Sequence, residues 1–83
     1  MKVFVLHNAE MDSDGVLSID SHAYLIIEEA QKAQNIFIEE FINKNKNTES
    51  EKICEEINLF KRVAYKNKLT EFQSCIKEFD IQN

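Results

Sequence analysis

The sequence predicts an α+β fold in which an amino-terminal β-hairpin packs on two long helices, the second kinked or broken near residues 66–69. Three observations lead there. Two short β-favouring runs, Val3-Phe4-Val5-Leu6 and Val16-Leu17-Ser18-Ile19, bracket an acidic turn. At 100° per residue, the segment that follows gathers its apolar side chains on one face. The last third of the chain carries two further stripes at helical spacing, rotated from each other by roughly 110°. With 83 residues, no proline and one glycine, the material suffices for a single domain, 1–83.

The hairpin is expected over about residues 2–19. Its turn, Asp12-Ser13-Asp14-Gly15, combines short acids that bond their own backbone with a glycine able to take positive φ. A helix is expected over about 21–45, N-capped by Asp20 or Ser21. Its core face is Ala23, Ile26, Ile27, Ala30, Ala33, Phe37, Ile38 and Phe41, while Leu25 and Ile36 fall among the charged residues of the other face. After the polar break Asn43–Asn47, the string Thr48-Glu49-Ser50-Glu51 has the form of a capping box and opens a helical segment over about 49–80. Its stripes are Ile53, Ile57, Phe60 and Ala64, then Tyr65, Leu69, Phe72, Ile76 and Phe79. Thr70 with Gln73 three residues later places the break between them.

Fifteen acidic against ten basic residues give a formal net charge of −5, and only one of the bases is arginine. That field repels nucleic acid and anionic lipid, so no direct nucleic-acid or membrane partner is expected; it suits approach to a basic surface on another protein. The acidity is densest in residues 1–20, where Glu10, Asp12, Asp14 and Asp20 face Lys2 alone. No apolar stretch of about 18 residues is present, and the opening run is too short for a signal peptide, which points to a cytoplasmic protein. Two cysteines, Cys54 and Cys75, are too few for a disulfide scaffold. On one continuous helix they would lie roughly 30 Å apart, so they are expected to be reduced.

Catalytic chemistry finds little support. One glycine excludes a Gly-rich phosphate loop or a dinucleotide fingerprint. The pairs Glu28-Glu29, Glu39-Glu40 and Glu55-Glu56 point about 100° apart on a helix and do not make paired carboxylates. His7 and His22, with Asp20 or Glu10 nearby, match no zinc spacing. Residues 10–18 have alternate oxygen ligands and a glycine in sixth place, as in an EF-hand loop, but Glu10 stands first and Ser21 occupies the twelfth position, where a bidentate glutamate belongs. No enzyme activity, metal or cofactor is expected; calcium binding at this loop is the weakest alternative. Lys61, Arg62, Lys66 and Lys68 read as charge complementing a helix carboxyl end.

The run Met1–Leu6, the acidic turn and Gly15–Ser21 leading into an Ala-, Ile- and Glu-rich helix resemble small acidic phage and mobile-element proteins over residues 1–33. That resemblance implies a stoichiometric inhibitor of host machinery, of the anti-CRISPR-like type, that occupies a nucleic-acid site on its target. The residues themselves point to a small non-enzymatic module that binds a host or cognate protein through Glu10, Asp12, Asp14, Asp20, Glu28 and Glu29. The alternative is a homodimer or larger assembly built by the hairpin edge or by Leu25 and Ile36.

Overall fold

A computed structural model describes residues 1–82. It contains five strands and one helix, in the order β1 (Lys2–Met11), β2 (Leu17–Tyr24), α1 (Ile27–Lys44), β3 (Lys52–Ile57), β4 (Phe60–Tyr65) and β5 (Glu71–Asp80). The strands form one antiparallel sheet, ordered β2-β1-β5-β4-β3. The central strand β5 lies between β1 and β4, and it pairs with β1 from Lys2 with Asp80 to Met11 with Glu71. Elements at opposite ends of the sequence thus make the middle of the sheet.

Strand alternation sorts the side chains onto two faces. Phe4 and Leu6 of β1, Phe72 and Ile76 of β5, and Val63 and Tyr65 of β4 are buried under α1. The helix meets them with Ala30 and Phe41, and half-buried Phe37 joins the two resulting clusters. Phe41 stacks obliquely on Phe72 at 5.5 Å and on Tyr65 at 6.1 Å between ring centroids. Gln34, only 1% exposed, ties helix to sheet by donating from Nε2 to the carbonyls of Leu59 at 3.0 Å and Ser74 at 3.3 Å. One helix covers one face. The other face carries no covering layer.

This architecture overturns the expected hairpin on two long helices. β1 and β2 do pair as a hairpin, but β2 runs to Tyr24, so residues 21–24 are strand and α1 begins six residues later than the expected start at 21. Neither Asp20 nor Ser21 caps it. The N-cap is Ile26, with no side-chain hydrogen bond to the free N–H groups. Residues 49–80, expected to be helical and broken near 66–69, form β3, β4 and β5. The reason lies in the stripes themselves. A spacing of four is also a multiple of two, so Ile53 with Ile57, Phe60 with Ala64, and Phe72 with Ile76 share a face on a strand as well as on a helix. Of the odd steps, 57 to 60 and 69 to 72 cross or leave the two turns, while 76 to 79 stays within β5 and puts Phe79 on the opposite face from Ile76. In the two turns Asn58 and Asn67 take left-handed conformations, φ 53° and 61°, which asparagine tolerates better than most residues.

Candidate functional site

The β1–β2 turn is held by the side chain of Asp12. Its Oδ1 accepts hydrogen bonds from the backbone N–H groups of Asp14 and Val16, both at 2.9 Å, while Gly15 takes φ 80° and donates to the Asp12 carbonyl at 3.0 Å. The carboxylate that the calcium-loop reading needs as a ligand is therefore engaged in turn geometry. Among the described residues, no group of three or more His, Cys, Asp or Glu side chains is placed to hold a metal ion.

The six acids singled out in the sequence do not share one surface. Glu10 and Asp20 lie on the helix-covered side of β1 and β2, near the carboxyl end of α1. Asp12 and Asp14 sit at the tip of the turn beyond them. Glu28 and Glu29 occupy the first turn of α1, where they complement the helix dipole. At 1.5 Å per residue that turn is roughly 24 Å along the helix from Lys44. Leu25 and Ile36 are exposed, at 66% and 46%. Leu25 precedes the helix and Ile36 lies in its middle.

Between the last two turns of α1 and the β1–β2 hairpin lies a cavity of about 280 Å³. Its apolar wall is Phe37, Phe41 and Phe72, and its rim carries Glu10, Asp20, Glu40 and Lys44. Lys44 is ion-paired with Glu10 across the mouth. His22 stacks on Phe37 with 5.0 Å between centroids and 26° between planes, and its Nε2 lies 3.4 Å from Asp20 Oδ2 without hydrogen-bond alignment. Asn8 also lines the cavity. It is 4% exposed, and neither its amide oxygen nor its amide nitrogen has a partner. Ser74, opposite Asn8 in the β1–β5 register, likewise leaves its hydroxyl unpaired. Each such buried orphan costs about 1–3 kcal/mol. Sequence reasoning missed Asn8; the only available signal was a polar residue in register with Phe4 and Leu6, at the i, i+2, i+4 positions of a strand.

The second notable surface is the bare face of the sheet. Alternation and register place on it Val3, Val5, His7, Ala9 and Met11 of β1, and Leu17, Ile19, Ser21 and Ala23 of β2. From β5 come Glu71, Gln73, Cys75, Lys77 and Phe79, and from β4 and β3 come Phe60, Arg62, Ile53, Glu55 and Ile57. Ile19 is 71% exposed and Ile57 66%. Across the strands Arg62 donates through Nε to Glu71 Oε1 at 2.8 Å and through an η nitrogen to Glu55 Oε1 at 2.7 Å. The Arg62 hydrogen bond holds the Glu71 carboxyl below its ordinary pKa, against the opposing effect of partial burial; a hydrogen bond from Gln73 adds to the lowering. His7 Nδ1 and Ser21 Oγ are joined at 2.9 Å.

The two thiols are free and on opposite faces, Cys54 beside Val63 on the helix side and Cys75 beside Phe60 on the bare side. Among the described residues no helix is long and apolar enough to cross a membrane. The chain matches no protein-family model, and no curated protein or solved structure is recognisably similar to it.

Proposed function

We propose that this protein is a non-catalytic interaction module that pairs with a second copy of itself through the bare sheet face and presents its acidic helix-side surface to a protein partner. The observation that carries the reading is the bare face. At about 3.4 Å per residue and 4.8 Å per strand, its five strands span roughly 650 Å², so two such faces bury roughly 1,300 Å², within the ~1,200–2,000 Å² of standard interfaces. Its charge also suits an identical partner. Two acids, Glu55 and Glu71, are balanced by Arg62 and Lys77, whereas the whole chain carries −5. The contact itself then adds no net repulsion, although each chain as a whole carries −5.

A small chain with one helix buries one sheet face only, and pairing supplies the missing layer. Glu10, Asp20, Glu28 and Glu29 then all point away from the pairing face, available to a basic surface on a host or cognate protein. This outward acidity is what supports the inhibitor role implied by the likeness to small phage proteins. Two free cysteines fit a reducing compartment such as the cytoplasm.

Sedimentation equilibrium tests the pairing. The wild-type chain is expected at twice 9.7 kDa in the micromolar range, and Ile19→Lys with Ile57→Lys at 9.7 kDa with an unchanged circular dichroism spectrum. Both side chains project from the surface, so the substitutions leave the monomer's core intact. A wild-type mass of 9.7 kDa up to millimolar concentration overturns the proposal. So does a dimer that survives both substitutions, which would place the contact at the β2 edge or elsewhere.

A further inference from the structure

We infer that the cavity between α1 and the β1–β2 hairpin is a binding site for an organic cation, an ammonium or guanidinium group carried by a small amine or by a lysine or arginine side chain of a partner. Four features of the cavity converge on that chemistry. Asn8 lies within it, nine-tenths buried, with both amide atoms free of any protein partner. The Asn8 oxygen accepts from an N–H donor, and its nitrogen is left for a carbonyl or hydroxyl beside the cation. The wall includes the rings of Phe37, Phe41 and Phe72, and aromatic rings attract a cation through their quadrupoles.

The rim carries three carboxylates against one ammonium, and Lys44 is already committed to Glu10. Asp20 is met only by His22, and among the described residues Glu40 makes no ion pair. The cavity's volume, about 280 Å³, is close to the small end of ligand pockets and admits one side-chain-sized group. An anion would meet Asp20 and Glu40 at the entrance, and a purely apolar ligand would leave Asn8 unpaired. The site opens on the helix side of the sheet, and of its lining Ile19 alone also belongs to the pairing face. It is therefore complete in one protomer, and its test stands or falls apart from the dimer.

Argininamide and citrullinamide, each acetylated on its α-amine so that the guanidinium is the one charge and the citrulline compound its uncharged isostere, and an arginine flanked on both sides by glycine in a short, otherwise neutral peptide are the probes, titrated into isotopically labelled protein. Argininamide is expected to shift the Asn8 side-chain amide and the Phe37, Phe41 and Phe72 ring resonances saturably, and citrullinamide to leave them in place. Asn8→Ala, which removes the orphaned amide without adding bulk, should weaken binding at least tenfold while keeping the fold. Asp20→Asn with Glu40→Gln, both on the exposed rim, should do the same if the Asn8 variant fails to fold. Tighter binding of the peptide than of argininamide assigns the site to a partner's side chain, and the reverse to a free small cation. Equal response to argininamide and citrullinamide, or no saturable shift from any probe, overturns the inference and leaves Asn8 to water.

Discussion

Arg62, the chain's only arginine, is the hub of a four-residue network on the bare face. Its planar fork reaches Glu71 on one side and Glu55 on the other, joining three strands where backbone pairing alone would leave polar side chains competing with water. Glu71, about 29% exposed at its side chain, has its pKa lowered by the Arg62 bond. A carboxyl whose folded pKa lies below its unfolded value stabilises the fold above the ordinary carboxylate range. That contribution fades as pH falls through the lowered value. Glu71→Gln should therefore cost about 1 kcal/mol at neutral pH, and the gap to wild type should close progressively below about pH 5. Urea midpoints across pH measure this directly; a constant gap down to pH 2 would show that the charge of Glu71 contributes nothing. Sequence alone read Arg62 as part of a basic helix end, because its partners, seven residues before it and nine after it, become neighbours only through strand pairing. Asp12 is the opposite case. Its side-chain bonds are local, to residues two and four ahead, and the sequence Asp12-Ser13-Asp14-Gly15 disclosed the turn without any tertiary information.

Among the elements, α1 and the first hairpin were largely legible, since a β-favouring run closed by turn residues marks a strand and an apolar face sustained over about five turns without a turn signal marks a helix. The α1 boundary was not. Ser21-His22-Ala23-Tyr24 continues the alternation of β2, with His22 and Tyr24 half-buried and Ser21 and Ala23 on the bare face, yet Ser21 also has the chemistry of an N-cap and Ala23 also extends the helical face. The last three strands were misread because spacings of four serve both periodicities. The information that separates them lies at Asn58 and Asn67, single asparagines whose turn-forming role is weaker in sequence than Asn-Gly. The misplaced helix start leaves a correctable defect. Ile26 has the extended backbone of an N-cap, φ −126° and ψ 127°, but no side-chain oxygen, and it is half exposed. Ile26→Ser should raise stability by about 0.5–1 kcal/mol by satisfying an N–H of the first turn. Thermal unfolding at one fixed protein concentration checks it. A fall in the midpoint would mean that the apolar contacts of Ile26 outweigh the cap.

At the scale of the whole molecule, charge is divided by the sheet: a neutral apolar face on one side, and on the other a helix-side surface that carries the acidic excess. The two proposed contacts therefore obey opposite salt laws. Pairing brings two chains of charge −5 together through a face that has no net charge, so electrostatics oppose it at long range and the apolar area drives it. Added potassium chloride shortens the Debye length from about 10 Å at 0.1 M to about 3 Å at 1 M, screening the repulsion while leaving the apolar contact in place. The dimer should tighten. Cation capture in the cavity depends on attraction to Asp20 and Glu40 at an open rim, and the same salt should weaken it severalfold. Sedimentation and argininamide titration along one salt series read both. If pairing weakened with salt instead, the interface would have to use charged contacts, such as the Asp12 and Asp14 tip against lysines of another copy. The apolar area of the bare face would then be excluded as what drives the pairing.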